Sequence, residues 1–262
     1  MKPQGNSRGR IVSLKVHKDI YIDMEIRDQL IASTAVPGQF VMIRTLQEAN
    51  EHLLLRPFDI AQIMPEKQTL RVLVKVKGTV TEGMRKLRAG DEITIRGPLG
   101  NGVREIPGNT MGVLVRGAGS AAVLALAEKA KSENKTVITF FSASTEDALI
   151  GVKYFENCSD VLHIATDDGS RGYRGDARDL LHDYLKEKRI DCLYTCGSRR
   201  FARTVKDLDA KKVTKGYLFL EEYMGCGVGT CHGCAVRKEK EDGYYLVCQD
   251  GPVFPASEVI IE

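Results

Sequence analysis

Apolar and polar positions alternate along the first part of the chain and then give way to longer apolar runs. Between residues 11 and 95, Ile20, Ile22, Met24 and Ile26 alternate with Tyr21, Asp23 and Glu25, and Leu70, Val72, Val74 and Val76 repeat the rhythm. A period of two belongs to strands with one face buried. Val36-Pro37-Gly38 and Arg88-Ala89-Gly90-Asp91 separate the runs as turns, so this region predicts a small antiparallel β barrel. From about Met111, apolar strands at 111–115, 136–141, 161–165, 192–195 and 217–220 alternate with helical stretches at 120–132, 177–188 and 200–208. That texture predicts a parallel α/β sheet, with Asp176 and Ser198 as N-caps of the last two helices. Residues 221–262 form a third unit, too short to bury much core and expected to fold around a bound group. The expected domains are therefore 1–105, 106–220 and 221–262.

Composition adds bounds to this picture. At 262 residues, with 43% hydrophobic and 28% charged positions, the chain suits about two globular domains. The first ten residues are polar and no later stretch is long and apolar enough to span a bilayer, so a reducing cytoplasmic location and no membrane are expected. The net charge of +3 is unevenly spread, because residues 221–262 hold three Lys/Arg against eight Asp/Glu. The basic body suits anionic nucleotide cofactors, while the absence of a basic stripe with interleaved aromatics argues against nucleic acid.

The chemistry is concentrated in five motifs. Cys226, Cys231, Cys234 and Cys248 follow C-x4-C-x2-C-x13-C, the plant-type spacing of thiolates around a [2Fe–2S] centre, in a glycine-rich loop able to curl its N–H groups toward sulfur. A structural zinc site and a disulfide framework are the competing readings; zinc favours paired C-x2-C knuckles, and three further cysteines, Cys158, Cys192 and Cys196, sit poorly with disulfides. Arg56-Pro57-Phe58-Asp59 offers a planar cation for a pyrophosphate at the start of a strand, or is simply a structural strand opening. Residues 78–84 read as a loop entering a helix with Thr79 or Thr81 as N-cap, able to hold a phosphate. Arg116-Gly117-Ala118-Gly119-Ser120-Ala121-Ala122 lies between a strand and a helix, the context of a dinucleotide-binding turn. Cys196-Gly197 ends another parallel strand, where ligands gather.

Taken in chain order, from the strand-rich region through the arginine motif, the dinucleotide turn and Cys196-Gly197 to the cysteine loop, the motifs resemble the electron-transfer subunits of two-subunit, NAD-dependent dihydroorotate dehydrogenases, within the ferredoxin-reductase superfamily. Pro37-Gly38-Gln39-Phe40, Gly97-Pro98-Leu99-Gly100-Asn101-Gly102, Thr166-Asp167-Asp168-Gly169-Ser170 and the cysteine loop carry the likeness, the last most specifically. The resemblance implies FAD in the barrel, held by Arg56, Pro57, Phe58 and Asp59, lined by Leu73, Val74 and Lys75, with Val80 and Thr81 at its pyrophosphate. It implies a nicotinamide dinucleotide at Gly117, Gly119, Cys196 and Gly197, and a [2Fe–2S] cluster on the four cysteines. It further implies an FMN-containing catalytic partner, in a heterotetramer serving pyrimidine biosynthesis, with no substrate-oxidising residues in this chain. Four positions depart from the family pattern: Asp59 replaces a serine, Val80 a glycine, and the dinucleotide turn begins Arg116-Gly117 rather than Gly-Gly and has Ala122 where the family has proline. An ionised Asp59 would disfavour an anionic reduced flavin.

The cofactor set follows an electron count. A nicotinamide gives two electrons as hydride and a cluster takes one, so a flavin must stand between them. Within residues 142–147, the acids Glu146 and Asp147 and the lack of an arginine favour NADH over NADPH. A related module feeding a glutamate-synthase-like partner in a flavin-based transhydrogenase is the alternative.

Overall fold

A computed structural model describes residues 6–45 and 54–261; the polar stretch 47–52 that precedes the Arg56 motif lies outside them. The alternating region forms β1 (Asn6–His17), β2 (Tyr21–Arg27), α1 (Gln29–Thr34), β3 (Phe40–Thr45), β4 (Arg56–Asp59), β5 (Gln62–Met64), β6 (Thr69–Lys75), α2 (Thr79–Met84) and β7 (Glu92–Leu99). These strands make one seven-stranded antiparallel sheet in the order β4-β3-β7-β1-β2-β6-β5. The predicted alternation sets the register: Ile22 faces Val74, Met24 faces Val72 and Ile26 faces Leu70 across β2 and β6. All six side chains are buried in one core with Ile11, Ile43 and Ile95. The edge strands β4 and β5 are consecutive in the chain. Of the two residues joining them, Ile60 donates its N–H to the Gln39 carbonyl at 3.1 Å and Ala61 to the Arg71 carbonyl at 2.8 Å, so both edges are tied back to the sheet.

The second region runs β8 (Thr110–Arg116), α3 (Ser120–Ser132), β9 (Thr136–Ala143), α4 (Val152–Cys158), β10 (Val161–Thr166), β11 (Tyr173–Arg174), α5 (Ala177–Glu187), β12 (Cys192–Cys196), α6 (Arg199–Ala210) and β13 (Lys215–Phe219). Its strands are parallel, with Met111, Val113 and Val115 packed in the core that holds α3 and Leu114 in the core that holds α5 and α6. Burial on both faces explains why β8 reads as a continuous apolar run. Asp176 and Ser198 accept hydrogen bonds from the N–H groups of Arg178 and Phe201, as N-caps of α5 and α6.

The last segment contains β14 (Ala235–Arg237), β15 (Tyr244–Leu246), α7 (Val247–Asp250) and β16 (Val253–Pro255). β16 returns to the second sheet and pairs antiparallel with β13, giving the order β11-β10-β9-β8-β12-β13-β16. Cys234, Val236, Val247, Cys248 and Phe254 are buried in the same core as Phe40, Met42 and Leu99 of the first sheet and Leu114 of the second. The cysteine segment thus shares its core with both neighbours, which offsets the shortage of apolar residues within it. No helix among the described residues is long and apolar enough to cross a membrane.

The polar face of β2 is not solvated, as a half-buried strand would suggest. Asp23 is 3% exposed, because α4 covers it: Arg71 donates to its carboxylate at 2.5 Å, Tyr154 Oη at 2.6 Å and Lys153 Nζ lies at 3.1 Å. Arg71 also pairs with Glu25 at 2.8 Å, and Gln62 links it onward to Glu128 of α3. Burial alone would raise the Asp23 carboxyl, but hydrogen bonds from Tyr154 and Arg71 hold it below its ordinary value. This network pins the first sheet to the helices of the second. Asp23→Ala, which leaves Arg71 paired with Glu25 but removes its second carboxylate and the acceptor of the Tyr154 hydroxyl, is expected to lower the unfolding free energy by roughly 1–3 kcal/mol in a urea titration. Lys153→Met, which removes a half-exposed partner, is expected to change it by less than about 1 kcal/mol.

Candidate functional site

The three regions meet around a cavity of about 810 Å³. β4 contributes Pro57, Phe58 and Asp59, and β6 contributes Leu73, Val74 and Lys75. The turn after β8 contributes Arg116, Gly117, Ala118 and Gly119, and the turn after β12 contributes Gly197. The chain leaving β13 adds Leu220, Glu221, Glu222 and Met224. Cys196 lines an adjoining cavity of about 830 Å³ that shares Gly197, Glu221 and Lys77 with the first.

Of the residues expected to hold FAD or the dinucleotide, Arg56, Val80 and Thr81 line neither cavity. Arg56 is on β4, where its guanidinium donates to the Leu54 carbonyl at 3.2 Å. Val80 and Thr81 lie in α2, whose N-cap is Gly78 rather than a threonine. Thr81 is the third helical residue, and its Oγ1 accepts from the N–H groups of Lys77 at 2.9 Å and Gly78 at 3.1 Å. The sequence did not single out Glu221, Lys77 or Met224. Glu221 was reachable by the same rule that picked Cys196-Gly197, since it follows closely on the carboxyl end of a parallel strand.

Position at the strand ends follows from topology. β8 and β12 are neighbours, and successive strands move outward from them in opposite directions, which opens a crevice between their C-terminal turns. The two turns touch backbone to backbone. A Cβ on Gly119 would lie 2.5 Å from Gly197 Cα, and one on Gly197, at φ +87°, would lie 2.3 Å from the Arg116 carbonyl oxygen. Glycine at both places is therefore required by contact.

Two carboxyls and a thiol crowd one end of the cavity. Burial, and then the negative field of Glu221, push the Asp59 carboxyl up to about 7. Burial also raises Glu221, and Cys196 Sγ stands 3.8 Å from Glu221 Oε1 with its thiol held protonated by burial and by both carboxyls. The pair resists double ionisation and retains a proton near neutral pH.

The four cysteines come as two pairs. Cys234 and Cys248 bring their sulfurs to 3.3 Å, and the side chains of Cys226 and Cys231 are in hydrogen-bond contact. Among the described residues, no three His, Cys, Asp or Glu side chains converge on one point as ligands of a single metal ion. Paired thiols suit two bridged irons, one pair to each, better than one tetrahedral zinc. Backbone N–H groups of Val228, Thr230 and Cys231 lie 3.3–3.4 Å from Cys226 Sγ, and that of Gly229 lies 3.2 Å from Cys248 Sγ. Although burial opposes it, these N–H groups bring the Cys226 thiol down to about 7, a setting made for thiolate. Gly227 and Gly229 adopt φ of +70° and +81° to form the loop, and Gly227 packs on Met42 and Leu99 of the first sheet.

A strand sheet facing an α/β crevice across one cavity is the arrangement of ferredoxin-reductase-like, FAD- and nicotinamide-binding oxidoreductases. Residues 17–103 match the family described as the oxidoreductase FAD-binding domain. A solved structure of an NADH-dependent reduced ferredoxin-NADP oxidoreductase, reported for flavin-based electron bifurcation, has a TM-score of 0.85 and 28% identity, covering 98% of this chain and 91% of that one. Residues 221–260 match the iron–sulfur cluster binding domain of dihydroorotate dehydrogenase B. The electron transfer subunit of dihydroorotate dehydrogenase B (NAD(+)) from Desulforamulus reducens is 32% identical over 245 residues, 92% of each chain. That from Caldanaerobacter subterraneus subsp. tengcongensis is 34% identical over 226 residues, 86% of this chain and 87% of its own. The chain belongs to this family of electron-transfer subunits, and its role is NADH- and FAD-linked electron transfer.

The Asp59 carboxyl sets a pH dependence. Its folded value, about 7, lies above the ordinary 3.8, so the folded state holds a proton that the unfolded chain has released between those values. Stability contributed by this group is present at low pH and lost as pH rises toward neutrality. Asp59→Asn is expected to raise the thermal midpoint at pH 8 and to leave it nearly unchanged at about pH 4; an equal shift at both would contradict the assignment.

Proposed function

We propose that the chain carries electrons between NADH and a separate, FMN-containing catalytic subunit that oxidises dihydroorotate to orotate, through FAD and a [2Fe–2S] cluster. One observation carries the reading: the cavity that the first sheet shares with the dinucleotide turn is also lined by Met224, two residues from the first cluster cysteine. FAD supplies, when bound, the conversion of a hydride pair into single electrons. Phe58, Leu73 and Val74 give it an apolar seat, with Arg56 and Lys75 as nearby cations; the α2 turn with Val80 and Thr81 would lie toward its pyrophosphate. The seven-stranded sheet would serve as the flavin barrel. Gly117, Gly119, Cys196 and Gly197 would hold the nicotinamide dinucleotide in the crevice at the ends of β8 and β12. Cys226, Cys231, Cys234 and Cys248 would ligate the cluster, and the loop N–H groups already directed at Cys226 and Cys248 would stabilise its negative charge.

On this reading the units are 1–105 for FAD, 106–220 for the dinucleotide and 221–262 for the cluster, in a cytoplasmic heterotetramer. The identity to named electron transfer subunits of dihydroorotate dehydrogenase B supports the partner's identity. The likeness to the NADH-dependent reduced ferredoxin-NADP oxidoreductase supports a second reading only as far as membership of another flavin-based oxidoreductase complex; on that reading the same module would feed a glutamate-synthase-like partner. The mass of the co-purifying subunit separates the two.

The purified chain is expected to contain iron, sulfide and FAD, and its flavin absorbance is expected to bleach with NADH without any oxidation of dihydroorotate until the partner is added. Cys226→Ser is expected to remove the cluster absorbance and leave the bleaching. Zinc in place of iron, or dihydroorotate oxidation by the chain alone, would overturn the proposal.

A further inference from the structure

The dinucleotide turn begins with an arginine, and the structure gives that arginine a specific partner. Arg116 closes β8, and its register neighbour on β9 is Ser142. From there the guanidinium reaches over the end of β9 toward the residue that follows β10. Nη1 donates to Ser142 Oγ at 2.9 Å and to Asp167 Oδ1 at 3.2 Å, and Nη2 donates to Asp167 Oδ2 at 2.5 Å. The fork thus lies across the C-terminal ends of three adjacent parallel strands, the rim on which such sheets bind ligands.

Its surroundings give the pair an unequal character. The Arg116 side chain is 21% exposed and lines the cavity beside Gly117, Ala143 and Ser144, whereas the Asp167 carboxylate is 50% exposed. Arg116 is the only guanidinium among the described residues lining that cavity; its other cations, Lys75 and Lys77, come from the side of the first sheet. A guanidinium matches a phosphate as well as it matches a carboxylate, in the same planar, two-pronged geometry. A half-exposed carboxylate that can re-enter water is the easier partner to displace.

We propose that Arg116 is a specificity-determining residue of the nicotinamide-dinucleotide crevice, masked by Asp167 until the dinucleotide's pyrophosphate takes over one prong of its guanidinium. This rests on the dinucleotide reading of the crevice given above and adds to it the group that sets its affinity. Ser142 keeps the other prong anchored, so the arginine need not leave its place on the sheet. Asp167 keeps the crevice from presenting an unpaired cation to every passing anion, which trades affinity for selectivity.

The test is calorimetric binding of NAD+ to the FAD- and cluster-loaded protein. Arg116→Gln is expected to weaken binding roughly tenfold or more, the loss of a charge-assisted contact. Arg116→Lys is expected to fall between it and the parent, because an ammonium keeps the charge without the fork. Asp167→Asn is expected to tighten binding several-fold and to make it more sensitive to salt, since the cation is unmasked. The double variant decides between a direct and an indirect role. If Arg116 binds the pyrophosphate, the double variant stays as weak as Arg116→Gln. If Arg116 only neutralises Asp167, the double variant recovers the parent's affinity and the inference is overturned, as it is if Asp167→Asn fails to tighten binding. Failure of the parent to bind NAD+ at all would sink the dinucleotide reading itself, whereas parental binding with all variants unchanged sinks only the role of Arg116.

Discussion

The pairing of β16 with β13 is the constraint on which the rest of the arrangement depends. Phe219 stands opposite Val253 and Leu218 opposite Phe254, so the chain leaves the second sheet and re-enters it at the same place. Asn101, just beyond β7, is tied to this return: its N–H donates to the Gly251 carbonyl at 2.7 Å and its side-chain amide to the Asp250 carbonyl at 2.9 Å. With both ends of the excursion fixed, the cysteine loop lies against Met42 and Leu99 through Gly227, and Leu220, Glu221, Glu222 and Met224 line the cavity. Proximity of the thiols to the crevice is thus a product of strand pairing and does not require a rigid cysteine loop.

A second constraint acts between the sheets. The Asp23–Arg71–Tyr154 network is buried and charge-assisted, and it joins β2 and β6 to α4 at a point away from the cysteines. The cavity is therefore bounded by two independent attachments, one polar near α4 and one apolar around Phe40, Leu99 and Phe254. Polar networks of this kind fix one relative placement of the parts, since a shifted docking would take the Tyr154 hydroxyl and the Lys153 ammonium away from the buried Asp23 carboxylate.

How much of this was legible in the sequence differs by element. The strands at 20–26 and 70–76 and the helix at 120–132 were readable because each is governed by its own period or caps. The burial of Asp23 was not, because it depends on α4, a helix of seven residues with no strong apolar stripe, arriving from another part of the chain. The cluster cysteines were legible from spacing alone, which is a local property of the loop. β16 was not: three residues around a proline carry no strand signal, and its partner is set by the fold. Within the cavity, Pro57 to Asp59 and the glycine turns were found by motif, whereas Glu221 and Arg116 acquire their roles only from neighbours distant in sequence, Asp59 and Cys196 in one case and Asp167 in the other. Residues whose meaning is relational stay hidden until the fold supplies the relation.

The shared entry and exit of the cysteine excursion bears on how the molecule opens. Since Phe219 and Val253 remain adjacent whether or not residues 220–252 are packed, that stretch can melt as one cooperative piece while both sheets keep their ladders. Because Leu220, Glu221, Glu222 and Met224 belong to that piece and line the cavity, its melting would open the same side of the nucleotide crevice, which couples order in the cysteine loop to the shape of the crevice.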